Sequence, residues 1–423
     1  MRRVLAGAAL LVALAGCAGP PSGGEPGPSR TGAEGAGPSR TGVVDAGPSG
    51  TAGPGPGPGP GPSRTSPASR TLLLADFGAD TVTFLPVAGR GRAASVKVGT
   101  APYGIALGDD GRAWVATAEG LAVVDTRTRE RVARVPYLTR TGPVARGEYR
   151  GGGMGVALAP DGRYAYVGVN VPDGRGTLEV VDTRTLRTTA VLPVGRRPFD
   201  VDVAPDGGRV YVTAHDSFDV TVVDPGSPGS PGGPSSPSGS SSPSGSRGPS
   251  RSGGGEAPRV VRRVEVAPYG TEGGLGSWLK PHYAAVRPSD GHLLLPFEGR
   301  RLVDLDPRTG RSRVLPMTAR THQHGTALTP DGHQLVVGTG PIDPARDAGP
   351  SLTIRAPDGT ERLVPLDGPH EDVVASPDGR TAYVTGGHTR EGWRDGVTAV
   401  DLRTGKTRWI GGGARPVGAV VLG

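Results

Sequence analysis

One sentence-like unit, spelled again and again along the chain, limits what this polypeptide can become. A clear copy runs from Arg197 to Asp224. Val201 to Val203 is a short apolar run bounded by Pro198 and Pro205. Pro205-Asp206-Gly207-Gly208 is a turn in which Gly supplies positive φ. Val210 to Thr213 is β-branched and aromatic, and Asp219 to Val223 alternates polar and apolar. These are short strands separated by tight turns.

The lead-in to the first strand recurs as Ala101-Pro102-Tyr103-Gly104-Ile105-Ala106-Leu107, then as Gly152-Gly153-Met154-Gly155-Val156-Ala157-Leu158. Further copies begin at Lys280, His322, Gly368 and Arg415. The turn returns as Asp110-Gly111, Asp161-Gly162, Asp290-Gly291, Asp331-Gly332 and Asp378-Gly379. The third strand returns as Val124-Asp125, Val181-Asp182, Val303-Asp304 and Val400-Asp401. A four-strand unit of this period is a propeller blade. Thr71 to Gly423, less a low-complexity insertion at 225–258, is about 320 residues, or about 46 for each of seven blades. Thr71 to Gly99 holds only a second, third and fourth strand, whereas Ala414 to Gly423 is a lone first strand. One blade is therefore expected to be stitched from both ends, which closes the ring and removes free sheet edges. The predicted fold is an all-β, seven-bladed β-propeller.

Two segments lie outside the repeats. Residues 1–16 have a basic start, Met1-Arg2-Arg3, and an apolar run from Val4 to Ala15 that is too short to span a bilayer. Leu14-Ala15-Gly16-Cys17 resembles the bacterial lipobox, which implies acylation of Cys17 and a lipid anchor in the cell membrane. Cys17 is the sole cysteine, so the repeats offer no thiol for disulfides or thiolate metal sites. Residues 17–70 are Gly-, Pro- and Ser-rich and are expected to stay disordered as a tether spanning roughly 40 Å. The formal charge is +7, but the arginines are scattered over turns and linkers instead of forming a stripe. Nucleic acid is not an expected partner, and a monomer is expected.

Tyr211-Val212-Thr213 and Tyr383-Val384-Thr385, together with the Pro-Asp-Gly turns and Val-Val-Asp strands, resemble the YVTN-repeat β-propellers. The resemblance implies the fold and leaves function to the site. Ala399 to Trp409 also resembles the tryptophan-docking motif of quinoprotein dehydrogenases; a single copy implies support of one blade and no quinone cofactor.

The loop before the first strand and the loop after the second share one face of a propeller, which sorts the eight histidines. His292 and His333 follow the Asp-Gly turns and belong to the opposite face. His282, His324 and His370 align at one repeat position, held by Tyr103 and Phe199 in other blades, at the mouth of the central channel. His322 lies two residues before His324, so an extended segment points both rings the same way, about 7 Å apart. His215 and His388 end second strands and are expected farther out. Neutral imidazoles at one radius suit Zn or Cu, with Glu371, Asp372, Glu298 and Asp76 on the same face to complete or orient them. The ligand contacts expected are Tyr103, Phe199 and Glu371, and Tyr149, Trp278 and Tyr283 could wall a pocket.

The cluster is similar to the His-lined mouths of periplasmic zinc-carrier propellers, and more loosely to lactonase-like propellers and the His/Glu site of streptogramin lyases. The reading that follows is a membrane-anchored extracytoplasmic lipoprotein whose propeller is a binding module for a divalent metal, small molecule or cell-envelope ligand. The alternative is a propeller hydrolase or lyase that uses the same His and carboxylate face.

Overall fold

The computed structural model describes residues 70–87, 91–147, 149–226, 256–266, 280–297, 301–318, 322–340, 349–389 and 392–422, the side chain of His388 excepted. The signal-like segment with Cys17, the tether up to residue 69, the insertion at 227–255, Trp278 and Glu298 lie outside the described residues.

Seven four-stranded antiparallel sheets form the ring. Blade one joins the C-terminal strand Pro416–Leu422 to Thr71–Asp76, which pairs with Thr81–Pro86 and then Ala94–Lys97. The expected closure is therefore observed, with Leu72 opposite Val421 and Leu74 opposite Ala419. The other blades are simple meanders. They begin with the inner strands Ile105–Leu107, Gly152–Leu158, Pro198–Val203, Ala285–Val286, Gln323–Leu328 and Val373–Ala375, for blades two to seven. A small extra hairpin pairs His388–Thr389 with Gly392–Trp393 beside blade seven.

The ring follows from where the apolar side chains go. Middle strands such as Leu72 to Asp76 and Leu121 to Val124 are buried on both faces, because each blade is sandwiched between two others. Every blade-to-blade interface has its own apolar cluster. Leu73, Phe84, Val115 and Val124 join blades one and two. Phe218, Leu295 and Leu305 join blades four and five. Leu74, Ile410 and Ala419 join blade seven back to blade one.

Small residues let the inner strands converge. A Cβ at Gly155 would lie 2.6 Å from the Asp200 Cα of the next blade, and one at Gly325 would lie 2.5 Å from the Asp372 Cα. On the opposite face, the Asp-Gly turns close as read, with Gly162 at φ 68° and Asp161 Oδ1 accepting the Arg163 N–H at 3.0 Å. In blade five the third-strand aspartate falls two residues later than expected. Asp306 accepts the Arg308 N–H, as Asp125 accepts that of Arg127, whereas Asp304 is buried beneath His292 and Arg313. Trp409 is 55% exposed and donates to the Asp395 carbonyl of its own blade, so it does not staple neighbouring blades.

Candidate metal centre

The N–H that closes each Asp-Gly turn gives a ruler for the innermost strands. Gly108, Ala204, Arg287, Thr329 and Ser376 make the same turn bond. Five residues before them stand Tyr103, Phe199, His282, His324 and Glu371. His282 and His324 therefore hold the mouth position, as expected. In blade seven that position belongs to Glu371, not to His370. The backbone bonds agree: Gly325 N donates to the Glu371 carbonyl just as Gly104 N donates to that of Met154. Because successive strand residues face opposite ways, the one-residue offset turns His370 out of the mouth. Its Nδ1 donates to the Gly368 carbonyl at 2.7 Å and its Nε2 accepts from Thr398 Oγ1 at 2.8 Å. Burial pushes the ring down to about 4, and it is a satisfied core histidine.

His322 corrects the extended picture as well. It sits at φ 63°, and the strand that follows carries a bulge between Gln323 and Thr326. A left-handed residue turns the chain, so its ring meets the ring of His324 edge-on at 85° instead of running beside it. The two Nε2 atoms are 3.1 Å apart.

The outer hydrogen bonds of these rings limit where their protons sit. Thr339 Oγ1 lies 3.1 Å from both the His322 carbonyl and His322 Nδ1, and when its hydrogen goes to the carbonyl its oxygen accepts from Nδ1–H. Glu371 Oε1 accepts from the Tyr103 hydroxyl at 3.1 Å and from His324 Nδ1–H at 3.2 Å. With the Thr339 hydrogen on His322 Nδ1, His322 Nε2–H donates to His324 Nε2; with it on the carbonyl, both Nδ1 atoms are donors and both Nε2 atoms present lone pairs to each other. A cation relieves that repulsion. Two nitrogens each about 2.0–2.1 Å from a tetrahedral zinc lie at nearly this separation.

His282 supplies the third imidazole, stacked on His324 with centroids 4.1 Å apart and 20° between planes. One ligand atom from each of His282, His322 and His324 lies within 4.8 Å of the others. All three residues are buried. Among the described residues, His282 Nδ1 and Glu371 Oε2 are buried without a partner. Burial, then the surrounding His324, His215 and His322 rings and Arg197, hold His282 well below the usual imidazole range, so its lone pair is available at neutral pH. Orphaned donor atoms, an all-nitrogen set and fixed outer hydrogen bonds fit a borderline divalent ion.

His215 stands closer than expected. Its N–H pairs with the Arg197 carbonyl next to the blade-four mouth, so its ring lies 4.6 Å from that of His282 and stacks on Phe199 at 5.5 Å. Phe199 is fully buried and touches Tyr103, His282 and Tyr283 edge-on, making the apolar floor of the cluster. The spacing of second-strand ends from the mouth hid this, because the lead-in at Arg197 takes a left-handed φ of 56°. Tyr149 is exposed and lies over the Arg197 guanidinium at 3.7 Å.

Asp76 is elsewhere, accepting from Thr81 Oγ1 at 3.1 Å and from Thr83, and burial raises it to about 7. Asp372 faces the central shaft, a cavity of about 210 Å³ that Asp200, Asp202 and Tyr283 also line. Burial raises Asp200 to about 6, and burial with nearby carboxylates pushes Asp202 and Asp372 up too. His292 pairs with Asp304 and His333 with Asp331 on the turn face.

No family model matches the sequence, and neither does any curated protein. Among solved structures the chain is similar to Kuenenia stuttgartiensis hydrazine synthase, at 18% identity over 71% of this chain and 76% of that one, with a TM-score of 0.49. At that identity and score the likeness says nothing about what this chain binds.

Proposed function

We propose that this propeller is a metal-binding module holding one borderline divalent cation, Zn²⁺ or Cu²⁺, on His282, His322 and His324. The observation that carries this reading is the pair of Nε2 atoms 3.1 Å apart, with His322 Nδ1 against Thr339 Oγ1 and His324 Nδ1 against Glu371 Oε1. Glu371 and Thr339 are positioning residues that orient the two rings. Burial of all three rings favours a held ion over an exchanging surface one. The Leu14-Ala15-Gly16-Cys17 sequence supports an extracytoplasmic, lipid-anchored setting in which a carrier or sensor of such an ion would work.

The purified full chain, stripped with chelator and titrated with Zn²⁺, should take up one equivalent and gain thermal stability. A ligand at a hundred times its Kd stabilises by about 2.7 kcal/mol. His324→Ala should abolish both effects while retaining the β-rich circular dichroism of the parent. A stripped wild-type protein that takes up no Zn²⁺ or Cu²⁺ and shows no shift in melting overturns the reading.

A further inference from the structure

The row of imidazoles does not stop at the three that converge. His215 is 3% exposed, and its ring lies 4.6 Å from that of His282. Its Nδ1 is 2.7 Å from Asp216 Oδ1, a carboxylate that Lys280 Nζ also engages at 2.8 Å. A carboxylate can only accept, so this bond puts the proton on His215 Nδ1 and leaves Nε2 its lone pair, with Arg197 Nη1 at a longer 3.4 Å from the same Nδ1. That carboxylate–imidazole arrangement orients metal ligands.

The two ends of the row differ in their access to solvent. Asp216 and Lys280, behind His215, keep 23% and 22% of their side-chain surface. Glu371 and Tyr103, behind His324, keep 0% and 3%. His282 lies between, within ring contact of His215, His322 and His324. We infer that His215 and His282 form a loading station, where an incoming Zn²⁺ or Cu²⁺ is first held before it passes to the His322–His324 pair. The inference rests on the metal-binding reading above. His282 stays bound throughout the transfer. The bond from the ion to His215 Nε2 breaks as bonds to the two facing Nε2 atoms form. No electron is transferred, and His215 keeps its Nδ1 proton on Asp216.

The test mixes the full chain with Zn²⁺ in a stopped-flow instrument and follows loading, then release to a fluorescent chelator. His215→Ala should slow both loading and release while changing the equilibrium Kd far less than His324→Ala does. Asp216→Ala, which leaves the ring in place but unanchored, should slow them in the same direction, and it decides the matter if His215→Ala fails to fold. Rates equal to wild type in the folded variant overturn the station. A loss of affinity as large as that of His324→Ala overturns it too, by making His215 a resident ligand. Wild-type protein that binds no Zn²⁺ or Cu²⁺ overturns the metal reading itself, a result distinct from either.

Discussion

His324 and Glu371 hold the same ring position in adjacent blades, and the Nδ1 of one lies 3.2 Å from Oε1 of the other. The contact joins the metal-facing imidazole to a fully buried carboxylate that also accepts from Tyr103. Glu371→Gln keeps an acceptor oxygen and removes the charge that raises imidazole basicity. The Zn²⁺ Kd should weaken about tenfold with the fold intact, as read by isothermal titration calorimetry beside a circular dichroism spectrum.

His370 gives a signature in acid. Its folded value of about 4 lies below the ordinary imidazole value of 6.5. Between those pH values the unfolded chain takes up a proton that the folded one refuses, so stability is lost as pH falls from 6.5 toward 4. His370→Gln removes that loss. Its destabilising effect should be greatest at pH 7 and should shrink by about 3 kcal/mol on reaching pH 4. Urea denaturation at the two pH values checks it.

Asp372 should act with the opposite sign. Burial, then Asp200 and Glu371, push its carboxyl well above the usual range, so the folded state keeps a proton that the unfolded state has already released. Wild-type stability therefore falls as pH rises through that window. Asp372→Asn should melt a few degrees higher than wild type at pH 8. The gain should fade as pH falls below about 4, where the unfolded carboxyl also takes up its proton, and differential scanning calorimetry distinguishes the two limits.

Gly155 tests the convergence of the inner strands without touching the histidines. Alanine there puts a Cβ 2.6 Å from the backbone of Asp200, and neither strand can move away without unpacking its blade. Gly155→Ala should cost about 2–3 kcal/mol, measured as a lower urea midpoint with an unchanged slope.

The repeat made most of the fold legible. Copies of one lead-in, one turn and one aspartate-terminated strand announce blades, because local turn chemistry and period-two patterning need only a few neighbouring residues. The split first blade announces the closure seen between Leu72 and Val421. The candidate site was legible in part. His282 and His324 keep the spacing of the repeat, and His322 stands two residues from His324. His370 departed by one residue, because Glu371 lies at the turn-defined position. His215 came in from a second strand through a backbone bond to Arg197.

What the sequence determined by itself was a ring of blades and the face on which the histidines gather, since both follow from periodicity. Only the tertiary structure decided which imidazoles meet. In a strand a shift of one residue reverses the side chain, and the left-handed angle at His322 redirects its ring toward His324. Neither leaves a mark in the pattern of residue types. The pairing of Nε2 with Nε2 and of His322 Nδ1 with Thr339 needs blade six folded, and that of His324 Nδ1 with Glu371 exists only once blades six and seven are packed together.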